Sequence, residues 1–330
     1  MRNIIYRIQG RDVSLYKGIL AADESSPTIK KRLESVGVES TEESRHSYRY
    51  NLFSTERLEN YIGGVILFDE TIRNEKTIEP LIDKGICLGI KVDKGVKPYD
   101  ANGFLTEGLD GLSSRLHEYK RLGAEFAKWR AVLNIQDSDA CIIANAWTLA
   151  RYAKKCQDEG IVPIVEPEVI MDGEHHIAGS QYFTNKVLHH VFDAMYYEKV
   201  ELESMILKPN MVLHGYTCEM PMPQFQDAAK HVDDSDMVAH FTLECFKRCI
   251  PAAVPMIAFL SGGQPDGIAV KNLNAINSQV SNTPWYATFS FGRELQQNSL
   301  KLWANGQLDD AKQTLLSRAR ECSKASVGIL

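Results

Sequence analysis

No apolar run in this chain approaches the ~18 residues that a membrane span requires, and the first residues, Met1-Arg2-Asn3-Ile4-Ile5-Tyr6-Arg7, lack the apolar stretch of a secretory leader. Basic runs of five or six residues are missing too, and the formal charge of −6 is spread along the chain, so a nucleic-acid surface is not expected. An anionic ligand must then be held by a few local cations and not by a global positive field. The seven cysteines are odd in number and never spaced C-x-x-C. In a chain long enough to bury a large core they read as reduced thiols of a cytoplasmic protein, not as a disulfide framework. Linker-like and low-complexity segments are also lacking, and residues 1–330 are expected to form one domain.

What is present is an alternation. Short apolar runs of strand length stand at Gly18–Glu24, Tyr61–Thr71, Gly85–Gly95, Phe126–Ile135, Ile161–Ile170, Glu203–Val212, Pro255–Gln264 and Tyr286–Leu295. Helix-like stretches fall between them, among them Arg73–Lys84, Leu112–Leu122, Asp137–Glu159, Asn185–Val200, Ser235–Cys249 and Pro265–Val280. Strands alternating with amphipathic helices imply parallel pairing through crossovers. Eight such units predict a closed parallel (β/α)8 barrel, the TIM-barrel class, over an open sheet. Gly95–Leu109 and the stretch near Cys218–Gln226 read as irregular surface insertions, and Glu294 to about Cys322 as a C-terminal helical extension.

In such a barrel the reactive groups sit at the carboxyl ends of the strands. The predicted strands close on Asp23-Glu24-Ser25, Asp69-Glu70, Lys91 with Asp93, Lys128 with Arg130, Glu166 with Glu168, Lys208, Ser261-Gly262-Gly263, and Ser290 with Gly292-Arg293. Residues i and i+2 of a strand share a face. Lys128 and Arg130 therefore project together, as do Glu166 and Glu168. Strands lie ~4.8 Å apart, so Lys128 and Lys208 are expected two spacings apart with the glutamates between them.

That cation–anion–cation array suits amine catalysis. A lysine with the ordinary pKa of ~10.4 is no nucleophile at neutral pH, whereas burial and a second cation both disfavour its charged form. Lys208 follows the apolar run Met205-Ile206-Leu207, and Lys128 and Arg130 would supply neighbouring charge. A neutral amine adds to a ketone, and the iminium that results draws electrons from an adjacent C–C bond. Glu166 is the first candidate for the acid and base this needs, with Glu168 and Asp23 behind it. Phosphate recognition is expected after the seventh and eighth strands. There Ser261-Gly262-Gly263 would offer backbone N–H groups, and Arg293 with Ser290 a guanidinium and a hydroxyl.

These segments resemble one family, the class I (Schiff-base) fructose-bisphosphate aldolases. The resemblance runs from about Gly18 to Trp303 on Lys17-Gly18-Ile19-Leu20-Ala21-Ala22-Asp23-Glu24-Ser25, Gly89-Ile90-Lys91-Val92-Asp93-Lys94-Gly95-Val96, Gly108-Leu109-Asp110-Gly111-Leu112, Phe126-Ala127-Lys128-Trp129-Arg130, Val162-Pro163-Ile164-Val165-Glu166-Pro167-Glu168, Leu207-Lys208-Pro209-Asn210-Met211-Val212 and Phe259-Leu260-Ser261-Gly262-Gly263-Gln264. It implies reversible cleavage of fructose 1,6-bisphosphate to dihydroxyacetone phosphate and glyceraldehyde 3-phosphate, without metal or cofactor, on a barrel that is usually a homotetramer. By that pattern Lys208 forms the Schiff base, and Glu166 accepts and returns the proton. Asp23 and Lys128 assist C–C cleavage, with Glu168 and Arg130 beside them. Arg32, Arg45, Lys91, Ser261, Gly262, Gly263, Ser290 and Arg293 would meet phosphates and sugar, and Asp110 a subunit contact.

Two departures stand out. Ser26-Pro27-Thr28 replaces the family's Thr-Gly-Ser, and the chain stops at Val327-Gly328-Ile329-Leu330 where animal members carry a terminal tyrosine. Competing readings are a transaldolase-like Schiff-base lyase, a metal-dependent aldolase, and a barrel without chemistry. A bisphosphate is favoured by expecting Lys91 and Arg32 at one side of the mouth and Arg293 with the Ser-Gly-Gly loop at the other. The histidines, as His175-His176, His189-His190 and singles, are expected to be packed or surface residues and not zinc ligands.

Overall fold

Eight strands close on one another in the order β1-β10-β9-β8-β7-β6-β3-β2, all pairs parallel. In chain order the strands are β1 (Gly18–Ala22), β2 (Ile62–Leu67), β3 (Cys87–Lys91), β4 (Val96–Pro98), β5 (Phe104–Thr106), β6 (Phe126–Leu133), β7 (Val162–Val169), β8 (Ile206–Leu207), β9 (Met256–Phe259) and β10 (Tyr286–Phe291). The helices are α1 (Arg2–Gln9), α2 (Ser26–Glu34), α3 (Glu42–Phe53), α4 (Asp69–Ile72), α5 (Glu75–Asp83), α6 (Leu112–Arg121), α7 (Asp139–Asp158), α8 (Ile177–Tyr197), α9 (Ser235–Cys249), α10 (Ile268–Ser278), α11 (Arg293–Ala304) and α12 (Leu308–Ala325). The structure is a computed structural model that describes residues 1–10, 16–218, 235–279 and 283–330. Cys218 is therefore described while the rest of the expected Cys218–Gln226 insertion lies outside the described residues, as does Val280.

The barrel has two apolar layers. Ile19, Ile66, Phe126, Ile164, Ile206 and Met256 fill its interior, joined by Ile5 and Ile8 of α1. That helix, which the alternation did not reveal, closes the amino-terminal end. Its fit is tight: a Cβ at Gly63 would lie 2.1 Å from the Ile8 carbonyl oxygen, so only glycine allows the approach. The second layer packs the outer faces of the strands against the helices, with Leu67, Ile90, Trp129, Val165, Leu207 and Phe259 among its buried members. Inward positions thus begin apolar and, two or four residues later, become Asp23, Lys91, Lys128, Glu166 and Lys208.

Several expected boundaries move, each for a local reason. The sixth barrel strand, expected over Glu203–Val212, pairs only at Ile206–Leu207. Val162 of β7 donates to Glu125 on the β6 side, and the Val165 carbonyl accepts from Lys208 N–H at 2.8 Å, so odd-numbered residues of β7 face β8. Pro163 and Pro167 carry no N–H to offer there, which limits the ladder. Beyond it the Asn210 side chain takes the Val169 N–H at 2.9 Å in place of a strand partner. The second strand ends at Leu67, and Asp69–Ile72 turns into helix with Asp69 and Glu70 in the favourable first turn. The eighth ends at Phe291, Arg293 already being helical. Gly95–Leu109 holds the antiparallel hairpin β4–β5, anchored where Thr106 Oγ1 donates to the Arg130 carbonyl at 2.8 Å. The C-terminal extension is two helices, broken where Gly306 takes φ 76°.

Candidate active site

The strand ends surround a cavity of about 950 Å3 at the carboxyl end of the barrel. Asp23, Lys91, Lys128, Arg130, Glu166, Glu168 and Lys208 all line it, as do Arg32, Ser261, Gly262, Ser290, Gly292 and Arg293. On its floor Lys208 Nζ lies 3.0 Å from Glu166 Oε1, and Lys128 Nζ lies 3.3 Å from Glu166 Oε2 and 2.7 Å from Asp23 Oδ2. The array of two ammoniums about a carboxylate predicted from strand spacing is therefore present. The nearest charge to Lys208 is the Glu166 carboxylate, however, and not the second cation that the sequence suggested.

Electrostatics sets the protonation of Glu166, Asp23 and Lys128. Burial by itself would raise the Glu166 pKa, but the charges of Lys128, Lys208 and Arg130 outweigh it and hold the carboxylate below its usual range. Burial likewise opposes ionisation of Asp23, and Lys128 and Lys208 bring it down to about 2. Lys128 feels the reverse: burial disfavours its charge, while Asp23 and Glu166 raise its pKa well above the ordinary lysine value. Lys128 is thus a fixed cation. Arg130 pairs with Glu168 at the rim, and Lys91 with Asp93.

The remaining cations fall out less evenly than expected. Arg293 opens α11 after Gly292 and lies against the loop after β9, where Gly262 and Gly263 take φ of 56° and 81°. A Cβ at Gly263 would stand 2.7 Å from Arg293 Nη2, so glycine is required twice over: by conformation and by room for the guanidinium. Gly263 itself does not line the main cavity. The Ser290 hydroxyl is buried and finds no protein partner among the described residues, leaving a donor turned to this end. Arg32, expected beside Lys91, sits on the Arg293 side, for a Cβ at Gly292 would be 3.9 Å from Arg32 Nη2. The reason is closure of the barrel: β1, which leads into α2, pairs with β10.

Arg45 is not brought to the cavity. It lies on α3 with Nε and Nη2 both engaged by the Glu70 carboxylate, at 2.6–3.0 Å. Conversely, Thr28, Arg73, Arg115 and Tyr119 line the cavity and were not singled out from sequence as site residues. Arg73 was read only as a helix start; Asp69 and Glu118 hold it at the mouth. Ser25 stands at the N-cap position of α2 without a side-chain capping bond, and Pro27 occupies the first helical turn, where its missing N–H has no intrahelical partner to lose. Residues 327–330 lie away from the cavity, with Leu330 N–H bound to Asn274 Oδ1 at 2.9 Å.

A sequence model of the family "Fructose-bisphosphate aldolase class-I" matches residues 7–330. A "Probable fructose-bisphosphate aldolase class 1" of Xylella fastidiosa is 48% identical over 325 residues, covering 94% of each chain. "Fructose-bisphosphate aldolase C-A" of Danio rerio is 45% identical over 98% of this chain and 90% of its own. Among solved structures, fructose-bisphosphate aldolase from Plasmodium falciparum, in complex with TRAP and a small-molecule inhibitor, superposes with a TM-score of 0.92 at 41% identity, over 99% of this chain and 94% of that one.

Proposed function

Because the chain belongs to the class-I fructose-bisphosphate aldolase family, we propose that Lys208 is the amine through which it cleaves fructose 1,6-bisphosphate reversibly into dihydroxyacetone phosphate and glyceraldehyde 3-phosphate. The observation that carries this assignment is the amine on the cavity floor, 3.0 Å from a carboxylate that Lys128, Lys208 and Arg130 keep ionised.

Glu166 takes one proton from the Lys208 nitrogen, and the freed amine adds to the ketone carbon of the open-chain sugar; a second nitrogen proton passes to the new alkoxide and completes the carbinolamine. The proton held by Glu166 then goes to the carbinolamine hydroxyl, which leaves as water, and the iminium forms. The C3–C4 bond then breaks. Its electron pair flows to the iminium nitrogen to give an enamine, and the C4 hydroxyl proton passes to a carboxylate of the same group, Glu166. Lys128, charged and 2.7 Å from Asp23, steadies the oxygen on which negative charge develops, while Asp23 holds Lys128 in place. Glu166 reprotonates the enamine carbon, and water releases the second product. Arg130 and Glu168 border this floor. The iminium is the electron sink, so the scheme draws on no metal and no cofactor.

Arg293, Ser290, Ser261, the Gly262–Gly263 backbone and Arg32 form one phosphate end, and Lys91 belongs to the opposite side of the mouth. The whole of residues 1–330 serves this site as one barrel domain. A homo-oligomer, a tetramer by family pattern, fits the exposed Trp147, Tyr196 and Tyr197 of α7 and α8. A cytoplasmic setting fits seven cysteines that stand outside any disulfide. No helix among the described residues is long and apolar enough to cross a membrane. Borohydride reduction with dihydroxyacetone phosphate should trap one adduct, located by peptide mass spectrometry on Lys208, and Lys208→Met should abolish turnover. An adduct on another lysine overturns the assignment.

A further inference from the structure

We propose that His176, His214 and Cys218 form a binding site for a borderline-soft divalent cation of the Zn2+ type, apart from the catalytic cavity. One ligand atom from each of the three lies within 4.8 Å of the others, and all three residues are half-buried. Cys218 Sγ stands 3.4 Å from His176 Nδ1. Ligands at ~2.3 Å for sulfur and ~2.0 Å for nitrogen on a tetrahedral zinc are about 3.5 Å apart, so this pair is already at bonding separation for a shared ion. Two imidazoles and one thiolate are a donor set that zinc prefers over the oxygen-seeking magnesium and calcium, and three protein ligands leave a fourth position for water.

The backbone holds the donors in place before any ion arrives. His176 is the N-cap of the 21-residue α8, after β7, while His214 and Cys218 follow β8. The two connections are laced together. Gly215 N–H donates to the His175 carbonyl at 2.8 Å, Tyr216 N–H to Met171 at 2.8 Å and Thr217 N–H to Gly173 at 3.1 Å. A Cβ on Gly215 would fall 2.1 Å from the Gly173 carbonyl oxygen, so the loops touch backbone to backbone. His214 Nδ1 now accepts the Ile177 N–H at 3.2 Å, a long bond in the first turn of a helix. Coordination through that nitrogen exchanges this bond for the ion, and the released N–H is left at a helix end where water reaches it.

None of the three lines the substrate cavity. The same segment does reach it indirectly, since the Tyr216 hydroxyl donates to the Gly262 carbonyl at 2.5 Å. A cation here clasps the β7 and β8 connections beside the phosphate loop. The histidines were expected to be only packed or surface residues; 38 positions of chain separate His176 from His214, and it is the neighbouring of β7 and β8 that joins them.

The full-length protein, stripped of metal with a chelator and dialysed, is titrated with Zn2+ by calorimetry and with Co2+ by absorption. One equivalent per chain is expected, with a thiolate-to-cobalt charge-transfer band and intense tetrahedral d–d bands. Cys218→Ser should remove the charge-transfer band, and both it and His214→Asn should weaken Zn2+ binding by about a hundredfold or more. His176→Asn, which keeps a good N-cap residue, should weaken it similarly. Turnover of Cys218→Ser, normal because the residue does not line the cavity, confirms that the variant is folded. Saturating Co2+ that gives no thiolate band in the unaltered protein overturns the proposal. So does Zn2+ affinity unchanged in Cys218→Ser, which would put the ion on other side chains.

Discussion

Replacing Glu166 by glutamine tests the centre of the mechanism, since it keeps the shape of the side chain and removes only its charge and its capacity to carry a proton. Glu166 is 3% exposed and bridges Lys208 and Lys128 at 3.0 and 3.3 Å. As the acid and base of dehydration and cleavage it should contribute ~10²–10⁴ in kcat, or about 3–5 kcal/mol of barrier. The Michaelis constant should move little, because Glu166 faces no phosphate-binding group. Borohydride should still label Lys208, at a rate reduced by a comparable factor. A second consequence concerns folding. Without the anion Lys208 loses its nearest countercharge, and breaking a buried pair costs ~3–5 kcal/mol. Lys128 keeps Asp23 at 2.7 Å, so the loss should fall toward the lower end. Steady-state kinetics, adduct formation by mass spectrometry and denaturant unfolding of the same sample separate these effects. Should unfolding obscure the kinetics, Glu166→Asp retains the charge and should fold while losing turnover through its shorter reach. A Glu166→Gln protein turning over within tenfold of the parent, or impaired only in its Michaelis constant, would refute the role.

Arg293→Ala should raise the Michaelis constant for the bisphosphate more than it lowers kcat, because a charge-assisted phosphate contact is worth ~1.5–3 kcal/mol, roughly ten- to a hundredfold or more; an unchanged constant counts against the contact. Asp23, held at about 2 in the fold against an ordinary 3.8, binds fewer protons folded than unfolded between those values. Its contribution, on the order of 2 kcal/mol, is therefore full above about pH 4 and is lost as pH falls toward 2. Acid-unfolding curves of Asp23→Asn should lack that part of the slope, and a slope equal to the parent's would contradict the pairing. Turnover should survive EDTA, and loss on chelation restored by zinc would sink the metal-free scheme.

The sequence by itself determined the barrel and much of the cavity floor, because both rest on short-range periodicities. Alternation of strand and helix implies parallel crossovers, and the two-residue repeat places Lys128 with Arg130, and Glu166 with Glu168, on the inner face whatever surrounds them. Lys208 and Glu166 were legible for this reason, each following by two residues a buried inward position, Ile206 and Ile164. What the tertiary structure decided was everything set by which distant segments meet. Pro163 and Pro167 shorten a neighbouring strand because their missing donors face it. Arg45 is captured by Glu70 across 25 residues of chain and kept from the cavity. Arg32 moves to the Arg293 side because the barrel closes β1 on β10. His176 and His214 become neighbours only when β7 and β8 pair. Local patterns fix which face a side chain presents; closure of the chain on itself fixes what that face meets.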